Sequence, residues 1–367
     1  MRVAYNLLHL VPGETGGAEF YARRLLPALR EADTGLGMTL FVGGAAASED
    51  WGDGVEVVPL RFDPTSRLRR VLAEQTLLPR AIRDSAPDLL HNLFNTAPAV
   101  TPVPQVTTIH DVIHHRHPDS GLLALGLKAA IPLAARRSSR ILTVSEASKT
   151  DIVRFLGVAG DRIDVAPNGP GIREDVVGVA PDEVRRRFEV GSAPLVLTVA
   201  PSRPHKNVPR LVEALALLPD VVLVVPGYPA GGDAELDDLA ERLGVADRLR
   251  RPGWVDEATL DGLYRAADCF VFPSLAEGFG LPVLEAMIRG VPVACSNATS
   301  LPEVAGEAAL YFDPTDVEAI AVSVQRLLED EELADELRAA GRERARRFSW
   351  EKAASRTLAC YRKAVAR

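Results

Sequence analysis

Short apolar runs recur along the chain at residues 3–8, 38–42, 55–60, 89–93, 106–110, 141–144 and 163–166, and again at 195–200, 221–225, 249–250, 269–272, 291–294 and 310–312. Runs of this kind, bounded by turn-forming residues, predict strands. Between them lie stretches with apolar positions at helical spacing: 18–31 behind the Gly16-Gly17 turn, 67–84, 122–137, and 149–156 with Ser145 at its capping position. Strand alternating with helix calls for parallel sheets with crossover helices, an α/β fold. The pattern halts at Pro167-Asn168-Gly169-Pro170-Gly171 and little periodicity returns before Pro181, which places a domain boundary there. The expected organisation is one domain over 1–169, a second over 170–348, and a last helix over 349–367, set off from the helix at 333–347 by Phe348-Ser349-Trp350.

A chain of 367 residues suits two cores of this size, and two lobes imply a cleft. The net charge of −8 excludes the basic balance of a nucleic-acid binder. The basic segment 61–70 runs against that balance; it reads as a solvated helix start, with contact to anionic headgroups as the alternative. Cys269, Cys295 and Cys360 have no C-x-x-C spacing, which argues against a disulfide framework or zinc ribbon and assigns them to packing. The first residues enter a strand directly, without a charged leader or a span of roughly twenty apolar residues, so the expected location is the cytoplasm, with peripheral contact at the inner membrane face as the variant.

The sharpest chemical signal is Glu277-Gly278-Phe279-Gly280-Leu281-Pro282-Val283-Leu284-Glu285, a glycine-bearing turn between an apolar strand and a helix start. Amides at such a turn, left free by the helix and aided by its dipole, suit a diphosphate. The two carboxylates, on the loop and about a turn into the helix, suit sugar hydroxyls. Lys206, in Pro204-His205-Lys206-Asn207 at another helix start, can balance charge on a departing diphosphate, with Arg203 as a weaker partner. Gly16 and Gly17 follow the first strand, and His110-Asp111 closes the strand at 106–110, where ligands of open α/β sheets gather.

The segment from Glu277 to Glu285 resembles the E-x(7)-E signature of the retaining GT-B enzymes of glycosyltransferase family 4, also called group 1. The resemblance extends to Lys206-Asn207, to the glycine loop Pro12-Gly13-Glu14-Thr15-Gly16-Gly17, to Pro167-Asn168-Gly169 and to Pro252-Gly253-Trp254-Val255. It implies a GT-B fold of two Rossmann-like domains facing across a cleft. It also implies a nucleoside-diphosphate sugar as donor, transferred with retention at the anomeric carbon. By it, Glu277 holds hydroxyls of the donor hexose, Glu285 holds the ribose, and the amides of Gly278, Phe279, Gly280 and Leu281 contact phosphate and sugar. Lys206 faces the diphosphate, Val255 edges the base pocket, Gly16 and Gly17 close toward donor and acceptor, and His110 lies near the transferred sugar. Arg203 departs from the family register, since Ala200-Pro201-Ser202 stands where relatives carry a Gly-Arg pair.

No D-x-D element sits at a suitable strand end, His114, His115 and His117 match no strong zinc spacing, and the resemblance implies phosphate departure without a metal, so no metal or other cofactor is expected. Segment 108–113 resembles bacterial mannosyl- and rhamnosyltransferases, which makes GDP-mannose the first donor to test, with UDP-sugars next. The acceptor classes are a glycan, a lipid-linked glycan or a small molecule. Two readings compete: an epimerase or phosphorylase on the same architecture, and a nucleotide-sugar-binding module without catalysis.

Overall fold

The structure, a computed structural model, describes residues 1–13, 16–63, 66–116, 122–172, 176–228 and 232–366, and of residues 122–125 and 127 the backbone alone. Glu14 and Thr15 of the glycine loop, Pro64 and Thr65 of the basic segment, and His117 lie outside the described residues.

Among the described residues there are two parallel sheets. The first contains β1 (Arg2–Leu7), β2 (Gly37–Val42), β3 (Glu56–Pro59), β4 (Leu89–Asn92), β5 (Gln105–Thr108), β6 (Arg140–Thr143) and β7 (Ile163–Val165), in the order β3-β2-β1-β4-β5-β6-β7. The second contains β8 (Leu195–Leu197), β9 (Val222–Pro226), β10 (Leu249–Gly253), β11 (Cys269–Phe272), β12 (Val293–Ser296) and β13 (Leu310–Phe312), in the order β10-β9-β8-β11-β12-β13. Each is the doubly wound order of a Rossmann-like unit. Strand order reverses between β1 and β4 in one sheet and between β8 and β11 in the other, and loops beyond the carboxyl ends at such a reversal form ligand crevices.

The chain separates into two compact units, Met1–Gly171 with Phe348–Arg367, and Ile172–Arg347. In the first, Ala4, Phe41, Leu78, Ile82 and Leu90 fill one buried cluster, and Ile109, Ile131, Ile141 and Ile152 another. In the second, Val196, Leu211, Leu223, Val271, Ile320 and Val324 share one core. Each of the Val, Leu, Ile and Phe side chains contributes roughly 1.5–3 kcal/mol when fully buried, so these clusters hold the sheets and their helices together.

The final helix, Trp350–Val365, belongs to the first unit. Ser349 caps it by accepting the Lys352 amide. Its buried positions, Trp350, Ala353, Ala354, Thr357, Leu358, Cys360, Tyr361 and Ala364, recur at helical spacing, and the helix packs on the helix Gly17–Ala32 and on β4 to β7. The Trp350 indole donates to the Pro170 carbonyl at 2.8 Å. A Cβ at Gly169 would stand 2.6 Å from both Cδ1 and the backbone nitrogen of Trp350. Gly169→Ala therefore forces backbone to move, and we expect a stability loss of about 1–3 kcal/mol, read as a lowered midpoint of thermal unfolding.

Two expectations are corrected. The β10 strand runs on through Pro252 and Gly253 instead of stopping at Arg250. As an edge strand with a register shift between Arg250 and Gly253, it has no neighbour that needs the missing proline N–H. The fifth strand ends at Thr108, so His110 lies in the loop beyond it and not in the strand. No helix among the described residues is long and apolar enough to cross a membrane.

Candidate active site

In the second unit, the loops after β8 and β11 leave the sheet at its reversal point and are tied to one another. The Leu275 amide donates to the His205 carbonyl at 2.8 Å. The Asn207 side-chain amide, buried, donates to the carbonyls of Pro273 at 3.0 Å and Pro314 at 2.7 Å. Asn207 itself adopts φ 59°, a left-handed geometry that asparagine tolerates better than most residues. That turn corrects the placement of Lys206, which lies in a 3-10 turn, Pro204–Lys206, ahead of the helix Val208–Leu215 and not in its first turn.

The pinned loops bring Lys206 and Glu277, distant in sequence, into an ion pair. The Lys206 Nζ donates to Glu277 Oε1 at 2.7 Å, and the two side chains are 16% and 9% exposed. The ammonium also stands 5.3 Å from the centroid of Phe272. Just beyond, Gly280 takes φ 110° as the N-cap of the helix Leu281–Ile288, and a Cβ there would meet Leu301 Cδ2 at 2.7 Å. The torsion requires glycine, and a side chain there would also have to push the tip of Leu301 aside. Gly278 and Phe279 complete the turn, and Leu281 opens the helix, whose dipole adds positive potential at this end.

Glu285 lies a turn into the same helix and is buried. Burial pushes its carboxyl up to about 7, against the opposing effects of the Tyr264 hydroxyl, which donates to Oε2 at 2.9 Å, and of Arg289. Arg289 is held by the buried Asp261 at 2.6 Å. Arg203 is exposed, and Val255 is half-buried beyond the end of β10, next to Trp254, whose ring packs 6.4 Å from that of Tyr228.

In the first unit, the His110 imidazole is fixed by the loop after β4. Its Nε2 lies 2.9 Å from the Leu93 carbonyl, an acceptor, so Nε2 carries the proton and Nδ1 keeps its lone pair. The His110 amide donates to Asn95 Oδ1 at 2.8 Å, and its carbonyl accepts from the Ser148 hydroxyl at 3.0 Å. Burial lowers its tendency to protonate, and the ring meets Tyr21 edge-on at 4.7 Å. Gly16, at φ 62°, caps the helix that Gly17 begins, and added Cβ atoms at either would meet nothing within 4 Å.

Thr299 and Ser300, in the loop after β12, also belong to the site: they bond the backbone of Glu277 and Phe279. Neither is marked by residue type or spacing, and only the fold brings them to the Glu277 turn. His114 and His115 share the short helix Ile113–Arg116 with ring centroids 4.3 Å apart. Among the described residues no three His, Cys, Asp or Glu side chains are grouped as a metal site would require. The three cysteines are buried, and burial raises each thiol.

Comparison with known proteins gives this geometry a family. The model of the group 1 glycosyl transferases matches residues 181–344, and that of Glycosyltransferase Family 4 matches residues 15–170. The chain is 35% identical over 269 residues to the O-antigen chain mannosyltransferase B of Escherichia coli, covering 70% of each. It is 33% identical over 224 residues to the serotype-specific mannosyltransferase WbdA of Escherichia coli, matching 58% of this chain and 27% of that protein, so it spans about a quarter of that relative. Among solved structures, a sucrose-phosphate synthase from Thermosynechococcus elongatus superposes with a TM-score of 0.81 at 22% identity, covering 100% of this chain and 99% of that one. The chain belongs to glycosyltransferase family 4, the group 1 glycosyl transferases, and is a sugar-transferring enzyme of GT-B fold.

Proposed function

We propose that the enzyme is a retaining transferase that moves a hexose from a nucleoside-diphosphate sugar, GDP-mannose first, to a hydroxyl of a glycan, a lipid-linked glycan or a small molecule. The observation that carries this reading is the Lys206–Glu277 pair beside the Gly280 turn at the reversal point of the second sheet. There the Lys206 ammonium and the helix N-terminus can neutralise a departing diphosphate, while the Glu277 carboxylate accepts hexose hydroxyls. The resemblance to mannosyltransferases favours mannose.

In this reading Glu285 accepts the ribose hydroxyls, the amides of Gly278, Phe279, Gly280 and Leu281 face phosphate and sugar, Arg203 adds charge, and Val255 borders the base. His110 presents its Nδ1 lone pair to the transferred sugar, and Gly16 with Gly17 supplies backbone that can approach donor and acceptor. The acceptor oxygen attacks the anomeric carbon on the face the diphosphate leaves. The bond from that carbon to the phosphate oxygen breaks as the new glycosidic bond forms, and the departing phosphate takes the acceptor proton. No metal ion takes part in this scheme. For a lipid-linked acceptor, the helix Arg67–Ser85 offers exposed Leu68, Val71 and Leu72 beside Arg67 and Arg69, a surface suited to anionic headgroups.

The test is thermal unfolding in the presence of GDP, UDP, ADP or dTDP, with and without EDTA, followed by proton NMR of the product formed from the matching sugar donor. A ligand at 100 times its Kd stabilises by about 2.7 kcal/mol. The expected outcome is a shift with GDP that EDTA does not change, and a product with the donor's anomeric configuration. A shift with none of the four, or an inverted product, would overturn the reading.

A further inference from the structure

The loop between β12 and the helix Leu301–Ala305 holds a conformation that one of its residues resists. Thr299 has φ 51°, in the left-handed region, where a β-branched side chain crowds its own backbone. Such strain persists only where the surroundings over-determine it, and it gathers at functional sites. The loop is anchored on both sides. The Ala298 amide donates to Ser296 Oγ at 3.1 Å, the Asn297 amide to the Phe312 carbonyl at 3.1 Å, and the Leu301 amide to the Ala298 carbonyl at 3.3 Å.

This anchored turn grips the Glu277 turn at several points. Thr299 Oγ1 accepts the Glu277 amide at 2.9 Å. The Ser300 hydroxyl, fully buried, shares its one proton between the carbonyls of Glu277 at 3.0 Å and Phe279 at 2.8 Å. Leu301 closes on the face of Gly280 where a side chain would otherwise sit. Holding a residue by both its own N–H and its own C=O fixes the torsions on either side of its Cα, and with them the direction of its Cβ. The Glu277 side chain leaves from that fixed Cβ and ends against Lys206.

We propose that Thr299 and Ser300 are positioning residues, which aim the Glu277 carboxylate at the hexose and act on the sugar half of the donor more than on its nucleotide half. This rests on the reading of Glu277 as the hexose contact. A carboxylate displaced by about 1 Å can cost a hundredfold in rate, which is enough to make such a clamp worth its strain.

Thr299→Ala removes the acceptor oxygen, and Thr299→Ser restores it. In the ligand-free protein, amide hydrogen exchange of the peptide spanning 273–284 is expected to quicken about tenfold in Thr299→Ala and to return to the wild-type rate in Thr299→Ser. By calorimetry, Thr299→Ala should bind GDP within twofold of wild type and GDP-mannose about tenfold more weakly, with GDP-mannose turnover down about 10- to 100-fold. Unchanged exchange and unchanged GDP-mannose affinity would overturn the proposal. So would a parallel loss of GDP and GDP-mannose binding with a fall of several degrees in the unfolding midpoint, because that is the signature of a purely structural role. If the wild type ignores GDP-mannose, the donor reading fails by itself, and hydrogen exchange alone decides whether Thr299 holds the Glu277 turn.

Discussion

Glu277→Gln is expected to fold and to lose most sugar transfer, a fall of about 10²- to 10³-fold in kcat/KM, the range seen when one charge-stabilising group is removed from a reaction centre. The amide keeps the size and one acceptor oxygen of the carboxylate but not its charge. Hydroxyls of a bound hexose would then meet a weaker acceptor, and Lys206 would lose its 2.7 Å counter-ion. Lys206→Met removes the other half and should lower transfer as severely, since the departing diphosphate loses its ammonium. Stability behaves differently. Both side chains are largely enclosed, so each single variant strands one charge and should cost about 1–3 kcal/mol. The double variant strands none and should be no less stable than either single one, a coupling that urea unfolding of the four proteins measures. Transfer at the wild-type rate in Glu277→Gln would remove this residue from the mechanism.

Glu285 carries the second large effect, through pH. Its folded-state carboxyl is raised by burial from the ordinary value of 4.5 to about 7. The folded protein therefore holds this proton to higher pH than the unfolded chain does. The associated stability is present in full below the unfolded value and is lost as pH climbs through about 7. The shift corresponds to something on the order of 3 kcal/mol between the extremes. Glu285→Gln cannot titrate there. Relative to wild type, its unfolding free energy should rise by about 2–3 kcal/mol between pH 5 and pH 8, and denaturant titrations at the two pH values check this. An ionised carboxylate is also the better acceptor for two ribose hydroxyls, so GDP affinity should rise more steeply from pH 6 to pH 8 in wild type than in the variant. Parallel pH profiles for the two proteins would show that Glu285 ionises at its ordinary value.

The α/β architecture was legible in the chain because a strand buried on both faces needs a short apolar run, and each crossover helix needs an apolar stripe at its own period. Every strand of both sheets falls on a run that the pattern picks out, with ends displaced by a few residues. The displacements have local causes. Pro252 ends an interior strand by rule yet continues an edge strand, and edge position is a property of the sheet, not of the segment. Likewise Asn207 bends the chain ahead of the helix at Val208, which leaves Lys206 in a tighter turn than its neighbours in sequence imply.

Residue type and order along the chain were enough to single out Glu277, Glu285, Lys206, Gly280 and His110 as candidates, because each offers a particular functional group or torsional freedom at a strand or helix end. What no local pattern contains is which of them meet. The Lys206–Glu277 contact spans 71 positions and exists because β8 and β11 are neighbours at the reversal of strand order. The raised carboxyl of Glu285 depends on how completely the surrounding core excludes water from it, against the opposing hydrogen bond from Tyr264. The left-handed Thr299 is invisible in a sequence, since nothing about threonine announces a conformation it disfavours. Chemistry of single residues and periodicity of segments are local properties and so belong to the sequence. Pairing, burial and strain arise only when distant segments compete for the same space, and those were decided by the tertiary structure.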